Sequence, residues 1–175
     1  MKRWFFLLLL LVICNVPARA QSDESCSSGP NGGLCWPVLR RSSRSARVVA
    51  LQYLLRARGF RVATDGVFAR ATEGAVRRFQ TKKKLVVDGR VGFQSWEALT
   101  PALKRGARGD AVRALQTLLR YQKINVTRDG VFGAATQRGV LKLQKEIDGI
   151  AIIEVKGEPR SVEWCYLSGG HLDGE

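Results

Sequence analysis

Part of this chain is written twice. Sliding the sequence against itself by 64 positions lays ALQYLLR, Ala50 to Arg56, on ALQTLLR, Ala114 to Arg120, and Asp65-Gly66-Val67-Phe68 on Asp129-Gly130-Val131-Phe132. The same shift places Ala71-Thr72 on Ala135-Thr136, and from Pro37 to Gln80 it gives 20 identities in 44 ungapped positions. A duplication of this length restricts the chain to a small fold unit that can be used twice. Past Gln80 the register slips, because Trp96 pairs with Trp164 at an offset of 68, so the second copy carries an insertion near Ile147 to Lys156.

Inside each copy the apolar period is helical. Val48, Leu51, Leu54 and Leu55, like Val112, Leu115, Leu118 and Leu119, fall on one face of an amphipathic helix, and Gly59 is placed to stop the first of them. A second helix presents Thr72, Ala75, Val76 and Phe79, with Thr136, Gly139, Val140 and Leu143 as counterparts. Between the two helices lies Asp-Gly, a pair suited to a turn with positive φ at the glycine. Its aspartate can accept from amides left unpaired near a helix start. A third short helix, Gln94 to Leu99 and Ser161 to Leu167, brings Trp96 or Trp164 in to close each bundle.

The fold class expected is therefore all-α, two tandem three-helix bundles in close contact. A unit of about 60 residues sits near the lower limit for independent folding, and Pro101 leaves almost no linker between the copies. Val86-Val87 and Ile150 to Ile153 suit small extended pieces, but nothing in the sequence argues for a sheet.

Residues 1–20 stand apart. Lys2 and Arg3 precede an apolar run from Trp4 to Ile13, followed by Ala18-Arg19-Ala20, the order of a secretory signal cleaved after Ala20. The run is short for a bilayer span, which takes about 20 apolar residues, so no stable membrane insertion is expected after cleavage. The organisation expected is a signal peptide at 1–20, a Ser/Gly-rich segment at 21–35, repeats at 36–100 and 101–168, and a flexible tail at 169–175.

The formal charge of +14 falls to about +11 without Lys2, Arg3 and Arg19, which points to an anionic partner. For an exported protein that partner is a wall polymer or membrane surface, and nucleic acid is not expected. Cys26, Cys35 and Cys165 remain after cleavage, an odd number that allows one disulfide. Cys35 with Cys165 would clasp the start of the fold to its end, the pairing favoured; Cys26 with Cys35 would close a local loop.

The string from Arg105 to Gln116 (RGARGDAVRALQ), then DGVFG at Asp129 to Gly133 with Thr136, Val140 and Leu143-Gln144, closely resembles the peptidoglycan-binding domain family of three-helix modules. The first copy resembles it through ALQYLL, DGVF, Ala75-Val76, Phe79-Gln80, Asp88-Gly89, Gly92 and Trp96, so the likeness runs from about Trp36 to Leu167. It implies a secreted, wall-associated protein that binds peptidoglycan or another anionic wall polymer, with a separate wall hydrolase as partner. Three departures stand out. Ser42, Ser45 and Val49 replace the usual glycines and acidic residue at the first helix start, Ala69 replaces the glycine after DGVF, and Lys156 replaces the second Asp-Gly aspartate in copy two.

Catalysis finds little support. A zinc hydrolase needs several ligands, usually including histidine, and the only histidine is His171. No metal site or cofactor is expected, no base stands beside the cysteines, and three of the carboxylates that could pair for glycoside cleavage, Asp65, Asp88 and Asp129, are explained by turns. Binding remains, and a glycan-peptide ligand wants a shallow groove with hydrogen-bonding groups and an apolar wall. The candidates are Gln52, Asp65, Gly66, Phe68, Thr72 and Gln80, with Gln116, Asp129, Gly130, Phe132, Thr136 and Gln144 as their images. Gln52 and Gln116, polar in the middle of apolar stripes, either tie down a loop amide or face the groove. Arg40, Arg41, Arg44, Arg47, Arg56, Arg58 and Arg61, answered by Lys104, Arg105, Arg108, Arg113 and Arg120, offer charge-assisted contacts to wall anions. The rival is a secreted basic polyanion binder or scaffold whose repeats have lost peptidoglycan. Asn125-Val126-Thr127 fits a glycosylation acceptor, which matters only in a eukaryotic host.

Overall fold

The computed structural model describes residues 26–27, 34–148, 164–165, 167–168 and 171–172. Among them are five helices and little strand: α1 (Ala46–Ala57), α2 (Arg70–Lys83), α3 (Phe93–Leu99), α4 (Asp110–Tyr121) and α5 (Ala134–Asp148). The fold is all-α. The duplication is reproduced in the backbone, since α4 and α5 begin 64 residues after α1 and α2.

Each helix starts and stops for a local reason. Ser45, extended at φ −174°, caps α1 by accepting from the Val48 amide at 3.4 Å. The helix ends after Ala57, where Arg58 turns out and Gly59 takes φ +87°. Lys82 and Lys83 occupy the last turn of α2, where cations suit the helix dipole, and Lys84 closes it in the left-handed conformation. Asp110 supplies the acidic residue of α4's first turn.

Leu51, Leu54, Leu55, Leu115, Leu118 and Leu119 are fully buried, with Trp96 and Trp164 at 0% and 1% exposure. Burial on α1 and α4 goes beyond one stripe, because the two helices pack mainly on each other, the most extensive contact between elements. Ala50 and Ala114 are accordingly at 0%. Arg56 Nε pairs with Asp110 Oδ2 at 2.9 Å across the two halves, while Arg47 donates to the Tyr121 hydroxyl at 3.1 Å and lies over its ring.

The two tryptophans make the same contact. Trp96 Nε1 donates to the Pro37 carbonyl at 2.8 Å and Trp164 Nε1 to the Pro101 carbonyl at 3.0 Å. Arg58 reaches the Leu99 carbonyl at 2.9 Å, and Gln122, its image, reaches that of Leu167 at 3.3 Å. The offset of 64 before the insertion and 68 after it is thus visible as one repeated contact.

Three expectations are revised. A small antiparallel sheet joins β1 (Cys26–Ser27), β2 (Leu34–Pro37) and β3 (His171–Leu172), with Cys26 opposite Pro37 and Cys35 opposite His171. His171 and Leu172 are thereby tied to β2 and are not part of a free tail. Second, the covalent clasp from Cys35 to Cys165 is not formed. Cys35 is disulfide-bonded, Cys165 is not, and the Cys165 thiol donates to the Cys35 carbonyl at 3.3 Å, so the two ends meet without a shared bond. Third, the residue that stands where copy two has Asp110 is Ala46, not Val49. Despite the substitution, Ser42 keeps φ +77° where its image Gly106 has +93°, and both donate to a phenylalanine carbonyl, Phe68 or Phe132, at 3.0 Å. Only Ser45 departs, extended where Gly109 has φ +107°. Val86 and Val87 are exposed and irregular. Residues 1–20, Ile150 to Ile153, Lys156 and Ser161 lie outside the described residues, and no helix among those described is long and apolar enough to cross a membrane.

Candidate functional site

The Asp-Gly turns are held by glutamine. Gln52 Nε2 lies 2.8 Å from Asp65 Oδ1 and 3.1 Å from the Val67 carbonyl, two acceptors for its two hydrogens. Its Oε1 accepts the Gly66 amide at 2.9 Å, and Asp65 Oδ1 accepts that of Val67 at 2.9 Å. Thr72 Oγ1 completes the ring, 3.2 Å from Gln52 Nε2 and donating to Val67 at 3.3 Å. Gln116, Asp129, Gly130, Val131 and Thr136 reproduce the arrangement, with Nε2 to Asp129 Oδ1 at 2.8 Å and Gly130 N to Oε1 at 2.9 Å.

A third occurrence lies later in copy one. Gln80 Nε2 reaches Asp88 Oδ1 and the Arg90 carbonyl, both at 2.8 Å, Gly89 N donates to Gln80 Oε1 at 2.9 Å, and Ser95 takes the threonine's place at 3.2 Å. Gln144, its image, is also fully buried, and the turn it would hold lies outside the described residues.

The structure places most of the sequence candidates inside the fold. Gln52 and Gln116 tie down loop amides and do not face a groove. Gln80, Thr72, Thr136 and Gln144 are at most 3% exposed, Phe68 and Phe132 are in the core at 0%, and Gly66 and Gly130 are buried. A Cβ on Gly66 would stand 2.9 Å from Val49 Cγ2 at φ +75°, so the turn admits no larger residue without movement. Asp65 and Asp129 alone among the twelve are exposed. The Val67 amide, then Gln52, hold the Asp65 carboxyl below its ordinary pKa, with Arg44 adding to the effect. The Val131 amide, Gln116 and Arg108 do the same for Asp129.

The basic residues divide in two. Arg40, Arg47, Arg56, Arg58, Arg113 and Arg120 have partners within the protein. Arg41, Arg44, Arg61, Lys104, Arg105 and Arg108 are exposed.

Sequence reasoning missed a surface on α2. Arg70, Glu73, Gly74 and Arg77, spaced i, i+3, i+4, i+7, line with Arg41 an open concavity of about 500 Å³. A smaller one of about 230 Å³ lies at Ile124, Asn125, Ala135, Arg138, Gly139 and Lys142 in the second half. The signal for the first was present: this polar stripe is where the two copies stop matching, with Ala134, Gln137, Arg138 and Leu141 at the equivalent positions. Among the described residues no group of three or more histidine, cysteine, aspartate or glutamate side chains is placed to hold a metal.

Residues 44–99, which contain the clamps of Gln52 and Gln80, match the family model described as "Putative peptidoglycan binding domain". The resemblance carried by the motifs is thus met over that segment. No curated protein matches the chain. Similar solved structures include the following two. One is a peptidoglycan-binding protein from Clostridioides difficile in complex with glutamine hydroxamate, at 35% identity over 35% of this chain and 39% of that one, with a TM-score of 0.35. The other is the Burkholderia AP3 phage endolysin, at 27% identity over 61% of this chain and 38% of that one, with a TM-score of 0.36. The chain spans about two fifths of the length of either.

Proposed function

We propose that this chain is a secreted, non-catalytic protein that binds peptidoglycan through two tandem modules, 36–100 and 101–168, the second remodelled at its end. The observation that carries this reading is the family match at 44–99, combined with the recurrence of that segment's Gln–Asp–Gly–Thr clamp, bond for bond, at Gln116. A clamp of this kind has no chemistry of its own. It fixes the turn between two helices, and so the surface that the turn and the second helix present to a polymer.

Residues 1–20 direct the chain out of the cell, and its positive charge draws it to an anionic wall. A separate hydrolase supplies any cleavage. The site face in this reading is the exposed edge carrying Asp65 with Arg44, and Asp129 with Arg108, while the buried members of each clamp position it.

The test is co-sedimentation of the chain lacking residues 1–20 with insoluble peptidoglycan across a salt series, with double-stranded DNA as a competitor. Retention at high salt without competition by DNA is expected of a shaped site. Binding that vanishes with salt and is displaced by DNA would leave only the polyanion reading, and no sedimentation at low salt would leave a scaffold.

A further inference from the structure

The concavity on α2 is built differently from the rest of the basic surface. Arg77 is fixed: Nε and Nη2 both donate to Glu73 Oε1 at 3.2 Å, Nη1 donates to the Val87 carbonyl at 3.0 Å, and Nη2 also to that of Asp88 at 3.0 Å. Among the described residues Glu73 Oε2, Arg41 and Arg70 have no such partner. Two unpartnered guanidinium groups therefore share a concavity with one unpartnered carboxylate oxygen.

Gly74, one of its lining residues, is an independent observation. Glycine inside a helix is less favourable than alanine, and close packing does not require it here. A Cβ at Gly74 would meet only the tip of Arg78, at 3.4 Å. By contrast Gly139, in α5, has Val126, Ile124 and Leu119 within 3.1–3.4 Å of such an atom. Gly74 gives up helix stability and leaves the space between Arg41, Arg70 and Glu73 open. In copy two the equivalent residue is Arg138, and Ala134, Gln137 and Leu141 replace Arg70, Glu73 and Arg77.

We infer that this concavity is a binding site for the zwitterionic peptide part of the wall polymer, present in the first copy and absent from the second. Arg41 and Arg70 take a free peptide carboxylate by charge-assisted hydrogen bonds, and Glu73 Oε2 takes an ammonium group on the same peptide. The volume falls in the range of small-ligand sites. The inference rests on the peptidoglycan-binding reading and names the ligand chemistry and the copy that carries it.

The test compares wild type, R41Q/R70Q, G74R and the charge-matched control R138Q/K142Q. The supports are sacculi acid-stripped of phosphate polymers and glycan strands freed of peptide by an amidase, with the free tripeptide L-Ala-γ-D-Glu-L-Lys as competitor; circular dichroism verifies folding. R41Q/R70Q and G74R are expected to bind stripped sacculi at least tenfold more weakly, the control within twofold of wild type, and the tripeptide to displace wild type. Wild-type binding undiminished on peptide-free glycan, or lost on acid stripping alone, would overturn the inference, as would equal losses in R41Q/R70Q and the control. In each of those cases peptidoglycan or wall binding still stands. Wild type failing to sediment with any sacculi would overturn the broader reading and this inference with it.

Discussion

Gln52 Oε1 accepts the Gly66 amide at 2.9 Å while its Nε2 donates to Asp65 Oδ1 at 2.8 Å, so one side chain grips both residues of the turn. The glutamine is wholly buried, and the Gly66 amide has no water to fall back on. Gln52→Leu keeps the shape roughly and leaves that amide unpaired, a loss of about 1–3 kcal/mol, while the Val67 carbonyl still accepts from Thr72 and from the Ala69 amide. Urea denaturation should show a stability loss of about 1–3 kcal/mol with little change in slope. A loss below about 0.5 kcal/mol, within the range of ordinary surface substitutions, would mean that the clamp does not hold the turn.

Ser42 sits at φ +77° where its image is glycine. The left-handed region costs an ordinary L-residue about 1–2 kcal/mol, offset in part by the greater freedom glycine gives the unfolded chain. Ser42→Gly is expected to stabilise the protein by about 0.5 kcal/mol, read as a raised urea midpoint. The reciprocal change Gly106→Ser should lower it by a similar amount.

The two exposed turn aspartates give the fold an acid limit. Both carboxyls are held below their ordinary value of 3.8 by backbone amides and glutamine. A depressed folded-state pKa means that the charged form is favoured in the native state, so the contribution is complete above pH 3.8 and is lost as the pH falls through the lower folded value. Stability attributable to these groups should be flat from neutrality to about pH 5 and decline below about pH 4. Asp65→Asn/Asp129→Asn should flatten the acid limb of the urea midpoint against pH, and an unchanged limb would assign the loss to other carboxylates.

The helices were legible in the sequence because leucine periodicity and the duplication point the same way. Leu51, Leu54 and Leu55 recur at Leu115, Leu118 and Leu119, and chance does not repeat an amphipathic face in register. The clamp was only half legible. Gln52 stood out as a polar residue in an apolar stripe, but its two possible roles differ by side-chain direction, which periodicity does not encode. The Gln80 clamp was harder still, with aspartate 8 positions after glutamine where the others have it 13 positions after, so the same geometry is reached from a different helix. The sheet was not legible: strands of two to four residues carry no alternation to read. The α2 concavity was hidden for the opposite reason. A duplication marks what the copies share, and Arg70, Glu73, Gly74 and Arg77 are where they differ.

Arg56 and Asp110 join the two halves at 2.9 Å, and the pair has no counterpart, because Ala46 stands where a second aspartate would face Arg120. Arg56 remains 45% exposed and Asp110 17%, so water screens the attraction, and pairs of this kind contribute about 0.2–1 kcal/mol. The same aspartate also accepts from Arg113 at 3.1 Å, which means Asp110→Ala removes two contacts and Arg56→Ala one. A double-mutant cycle on Arg56 and Asp110 isolates the contact between halves. Its coupling energy should come out near 0.5 kcal/mol and shrink in 0.5 M salt, with Asp110→Ala costing more than Arg56→Ala. The apolar packing of α1 on α4 stays intact in all three variants, so each should still unfold in one transition with the halves together. A second transition appearing on loss of this pair would mean that charge, and not the buried face of α1 and α4, holds the repeats in contact.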